Sequence, residues 1–184
     1  MYNIICGVSF FLMLIFSCLL EKTSKKDLIL RVLSVILFVY KLGYYIFENV
    51  KGDVTIPVEI SCITYFIMPI ILTFKIKKLY CVGAFFGIMA GVGYFAFYTI
   101  LGFTVAGEFT LKQILLGCFS HGYLLVSGIH LYKNNKFNKN EQLYIWIAIL
   151  AMLCWSLIFY DIEMRGITFI YYINQYIVLS WIFL

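Results

Sequence analysis

The sequence predicts an all-α polytopic membrane protein: one domain over residues 1–184, a bundle of seven transmembrane helices, N-terminus outside and C-terminus cytoplasmic. Three observations predict it. The 184-residue chain is 64% hydrophobic and only 12% charged, where soluble chains average about 25% charged. Polar breaks divide it into apolar stretches close to the ~20 residues that a helix needs to cross the hydrocarbon. The loops between those stretches alternate between lysine-rich and lysine-poor. So little polar surface cannot cover an aqueous core, and in lipid only a helix or a closed barrel satisfies its own backbone groups.

The expected spans are residues 2–20, 28–47, 55–74, 79–103, 111–132, 143–160 and 167–184. The first could be read as a cleaved signal. It lacks a basic n-region, and "SCLLEK" is a poor cleavage site, so it is expected to stay as a helix. The last two are short, which leaves open a partial or interfacial seventh span. "EKTSKKD", "KIKK" and "KNNKFNKN" carry three lysines each, while the alternate connections hold one basic residue each, Lys51, Lys112 and Arg165. That alternation is the positive-inside pattern and fixes the orientation. The net charge of +5 is then explained by the loops and calls for no nucleic-acid partner.

The fourth span places Gly83, Gly87 and Gly91 four residues apart. Small residues at that spacing let another helix approach closely. The ridge is expected to pack within the bundle, or else to serve as the face of a homo-oligomer. The six cysteines all lie in apolar runs without a CxxC pair, and with two histidines no metal or cofactor site is expected.

Polar side chains inside apolar spans are costly and mark function. In "IPVEISCITYFIMPIIL", Glu59 and Cys62 are three residues apart, which predicts one shared helical face. By the helical rise Cys62 lies about 10 Å below the outer surface and His121, in the fifth span, about 15 Å below it. Lys41 falls in the outer third of the second span, and Asn174 and Gln175 in the outer half of the seventh. These residues share one slab of the membrane. A thiol becomes a strong nucleophile when an imidazole takes its proton, so Cys62 and His121 are the expected catalytic pair. Cys118, three residues before His121, is the competing partner. Lys41, Glu59, Asn174 and Gln175 are expected to bind or orient substrate. Gly117 and Gly122 are expected to leave room beside the imidazole, and His130, at the cytoplasmic interface, is expected to be solvated.

"TIPVEISCITYFIMPIIL" resembles the proline-then-cysteine third-span motif of the YwaF-like integral membrane family, grouped with transmembrane protein 164. "FSHGYLLVSGIHLY" is similar to that family's histidine-bearing span. The resemblance implies a cysteine–histidine acyltransferase moving fatty acyl groups between lipids, with its nucleophile at Cys62 and its histidine at His121. Glu59 and Ile60 depart from the more apolar or histidine-containing run expected before the cysteine. The reading is thus a lipid acyltransferase or acyl hydrolase in the outer half of a bacterial cytoplasmic membrane, with membrane lipids as partners. The alternatives are a transporter or sensor with a polar solute-binding core, and a structural subunit joined through the glycine ridge.

Overall fold

The computed structural model describes residues 2–51, 57, 59–100, 110–137 and 139–159. They form six α-helices: α1 (Tyr2–Glu21), α2 (Lys26–Val50), α3 (Ile60–Thr73), α4 (Tyr80–Ile100), α5 (Leu111–Asn134) and α6 (Lys139–Phe159), with a 3-10 turn at Lys77–Leu79 before α4. No strand occurs among the described residues. α1, α2, α4 and α5 are each long and apolar enough to cross a bilayer, the mark of a membrane protein. The expected seventh span, 167–184, lies outside the described residues.

The third segment is shorter than expected. α3 has 14 residues, about 21 Å by the helical rise, against ~30 Å of hydrocarbon. It starts at Ile60, because Glu59 takes extended dihedrals (φ −73°, ψ 145°) as the residue before the first turn. Pro57 lies upstream of the helix, its carbonyl accepting a bond from the Trp155 indole of α6 at 2.9 Å. Pro69 sits inside α3 and cannot donate to the Tyr65 carbonyl one turn back. At the far end Lys75 adopts a left-handed backbone (φ 53°), and the Ile76 N–H reaches back to the Ile71 carbonyl at 3.1 Å. That closure stops the helix and turns the lysine-rich segment out of the bundle.

α5 opens on a capping box. The Gln113 N–H donates to the Thr110 hydroxyl, and the Thr110 N–H donates to the Gln113 side chain at 2.8 Å. α5 then runs through the centre of the bundle against α4, with α1 on one side and α3 on the other. The glycine ridge makes the α4–α5 seam. A Cβ at Gly87 would lie 2.7 Å from the Leu124 carbonyl oxygen, and one at Gly128 would lie 2.6 Å from the Ile88 nitrogen. The face expected to serve either the bundle or a second copy is occupied by α5 of the same chain. α2 packs on α3, and α6 joins α4 through Phe85, Phe86, Ile149 and Met152.

Candidate functional site

The half of the bundle that holds the end of α2 and the starts of α3 and α5 gathers polar residues of those helices around one tyrosine ring. α2 places Lys41 and Tyr45 one turn apart on the same face. The Lys41 ammonium sits over the Tyr65 ring, 4.1 Å from its centroid, with Tyr40 at 5.8 Å. It makes no ion pair among the described residues, so it is held by ring quadrupoles rather than by Glu59. Lys41 still lies within electrostatic reach of Cys62, Glu59 and His121.

The Cys62 thiol points toward the Glu59 carboxylate at 3.9 Å, and Ser61 donates to the same oxygen at 3.4 Å. The expected proximity of Glu59 and Cys62 is therefore present, but its origin differs. Glu59 reaches the thiol from the extended segment before α3, not from a shared helical face. The Tyr45 hydroxyl approaches the same sulfur. Tyr45 also packs its ring on Phe66, centroids 5.7 Å apart.

His121 is fixed from three sides. Its Nδ1 lies 3.0 Å from the Ala90 carbonyl oxygen of α4. A carbonyl only accepts, so Nδ1 carries the hydrogen and Nε2 keeps the lone pair. The ring stacks on Tyr94 at 3.9 Å between centroids and 12° between planes, and meets the edge of Tyr65 at 5.4 Å. The glycine seam makes this possible. A Cβ at Gly91 would come within 3.0 Å of the His121 carbonyl oxygen, so only glycine brings Ala90 near the imidazole. Gly117 and Gly122 do not leave open space beside the ring as expected. The Tyr94 hydroxyl fills the room at Gly117, and Met13 fills that at Gly122.

Cys62 and His121 form no direct hydrogen bond. Tyr65 touches the imidazole on one side and takes the Lys41 ammonium on its face, one turn of α3 below the thiol. Cys118, the competing partner, is buried against Cys6 with the two sulfurs 3.7 Å apart. Asn174 and Gln175 lie outside the described residues. The tyrosines at 45, 65 and 94 went unremarked in the sequence, because an aromatic within an apolar span reads as lipid-facing or core.

The second polar cluster lies at the opposite end, and it corrects the expectation for His130. That residue is 7% exposed rather than solvated. Its Nδ1 lies 2.6 Å from Glu21 and its Nε2 3.2 Å from Asp27. Lys26 donates to Glu21 at 2.8 Å and to Asn134 at 2.9 Å, and Asn134 donates to Glu21 at 3.1 Å. Both ring nitrogens thus face a carboxylate oxygen. This clamp ties the α1–α2 turn to the end of α5. The i, i+4 pairing of His130 with Asn134 was the available sequence signal.

A groove lies beside the Cys62 cluster. Leu42, Tyr45, Ile46, Asn49, Val50, Pro57 and Phe66 line a cavity of about 520 Å³ between α2 and α3. Tyr45 belongs to both the groove and the thiol's surroundings. Fold and site together define a helical membrane protein with a thiol, an ammonium without an ion-pair partner among the described residues, and a half-buried imidazole in one half of its bundle. Comparison with family models, with curated proteins and with solved structures finds no match.

Proposed function

We propose that the protein is a lipid acyltransferase or acyl hydrolase with Cys62 as nucleophile and His121 as general base. The observation that carries this reading is the groove between α2 and α3, whose wall includes Tyr45, the residue that approaches the Cys62 sulfur beside Lys41 and Glu59. Its walls are apolar at Leu42, Ile46 and Phe66 and polar at Asn49, matching an acyl chain below and an ester above. The resemblance of the third and fifth spans to the YwaF-like family supports the same assignment. The reading keeps seven spans, the N-terminus outside, the C-terminus cytoplasmic, and a bacterial cytoplasmic membrane, on the strength of the lysine alternation.

In the first half-reaction the thiol proton passes to His121 Nε2, and sulfur attacks the ester carbonyl. The C–O bond breaks, the alcohol leaves with the proton from His121, and a thioester remains on Cys62. A second lipid hydroxyl, or water, then attacks the thioester and restores the thiol. Lys41 stabilises the developing oxyanion or the lipid phosphate. The proton route runs past Tyr65, so the ring must turn aside or its hydroxyl must relay the proton. Glu59 is the acceptor nearest the resting thiol and holds its orientation.

The test is acyl exchange between labelled phospholipids by the full chain in proteoliposomes, wild type beside Cys62→Ser. The expected result is exchange in the wild type and its loss in the variant at unchanged helicity. Equal exchange by both would remove the enzyme reading. The second reading, a solute-binding core, rests on the Lys41 ammonium making no ion pair among the described residues, and it would then stand.

A further inference from the structure

The lysine-rich end of the bundle carries a separate amphiphilic cavity. α5 ends at Asn134, and Asn135 turns extended (φ −132°, ψ 141°) as the chain leaves for α6. The start of α4, the end of α5 and the first turns of α6 then enclose about 450 Å³. Its floor is Cys81, Ala84 and Phe85 of α4, each 5% exposed or less, with Ile145 on the α6 wall. Its mouth holds Lys133, Asn135 and Gln142.

The mouth groups have free bonding capacity. Lys133 makes no ion pair, and the Gln142 side chain no hydrogen bond, among the described residues. Asn135 donates one N–H to the Leu131 carbonyl at 2.7 Å, which orients the amide and leaves its second N–H. The Lys77–Leu79 turn packs against α4 and α6, bringing Lys77 and Lys78 to the same end, with Lys75 and Lys136 nearby in sequence. Glu141 opposes them from the α6 side, close to Cys81. Glu141 is one carboxylate among these five lysines, and Glu21 and Asp27 of the same end are already engaged by Lys26 and His130, so the cavity mouth is net positive.

We propose that this cavity binds an anionic phospholipid of the lysine-side leaflet. The phosphate sits at Lys133, the Asn135 and Gln142 amides donate to phosphate or glycerol oxygens, and one acyl chain lies along Cys81, Ala84, Phe85 and Ile145. A soluble anion has no use for an apolar floor, and a neutral chain has no use for an ammonium without an ion pair among the described residues. Tyr132, which lines the same cavity and is 54% exposed, sits where an aromatic ring meets the headgroup level. The inference is independent of the Cys62 chemistry at the other end.

The test is native mass spectrometry of the full chain with equimolar phosphatidylglycerol and phosphatidylcholine. The wild type is expected to retain phosphatidylglycerol preferentially. Lys133→Gln alters an exposed side chain and should lower that preference about fivefold, the effect of one lysine near an anionic headgroup. Ile145→Trp should abolish retention by filling the cavity while leaving the lysines in place; circular dichroism checks that it stays folded. Lys25→Gln, on another turn, should change nothing. An equal drop with Lys25→Gln would reduce the effect to diffuse surface charge and overturn the site. So would undiminished retention in Lys133→Gln or in a folded Ile145→Trp.

Discussion

His121 and His130 stand nine residues apart on α5, and they are held in opposite ways. His130 has a carboxylate at each ring nitrogen, and one of them, Glu21, is itself bonded to Lys26 and Asn134. Its hydrogen-bonding capacity is full, so it serves to tie three helix ends together. His121 has one backbone carbonyl at Nδ1 and aromatic rings on its faces. That fixes the ring and its tautomer while leaving Nε2 uncommitted, which is the state a general base needs. The same side chain is cement where its neighbours are charged and a reagent where they are not.

The comparison breaks most sharply on activity. His121→Gln should lower acyl exchange by about 10²–10⁴-fold, the usual loss for a missing general base, with thermal unfolding in detergent little changed. His130→Ala should do the reverse, leaving exchange measurable and costing about 2 kcal/mol of stability, because it removes the group that joins Glu21 to Asp27 while Glu21 keeps only Lys26 and Asn134. The figure lies below that of a fully buried pair because Asp27 is 64% exposed. If His130→Ala left stability untouched and abolished exchange, the assignment of the two histidines would have to be exchanged.

Gly91→Ala sharpens the point from the α4 side. A Cβ there meets Leu125 and the His121 carbonyl, so the seam must open at a cost of about 1–3 kcal/mol for overpacking. Exchange should fall along with stability, since the Ala90 carbonyl retreats from the imidazole. Unchanged exchange at reduced stability would mean that the Ala90 bond does not position the base. Glu59→Gln is the smallest expected effect, less than about tenfold on exchange, because it keeps a hydrogen-bond acceptor at the thiol and leaves His121 as base. A loss as large as that of His121→Gln would make Glu59 the group that takes the proton.

Much was legible before any fold was known. Composition demanded long apolar helices, and four of them are long and apolar enough to cross a membrane. The rise per residue brought Lys41, Cys62 and His121 to one depth, and the structure brings Lys41, Cys62 and Glu59 into one cluster, with His121 behind Tyr65. The start of α3 was misplaced because an apolar run does not reveal where helical dihedrals begin. The 55–74 stretch reads as continuous, yet Glu59 is extended and α3 opens only at Ile60.

What the sequence by itself determined was the position of Lys41, Cys62 and His121 along their helices and the identity of the close-packed helix, through Gly87 and Gly91 at helical spacing. Only the tertiary structure decided azimuth: that Tyr65 lies between Lys41 and His121, that Cys62 turns to Glu59, and that His130 turns inward to Glu21 and Asp27. The physical reason is the solvent. In water a helix shows its buried face by contrast with a polar one. In lipid both faces are apolar, so rise along the axis is written in the sequence while rotation about it is set by packing, here by the glycine seam that locks α4 onto α5.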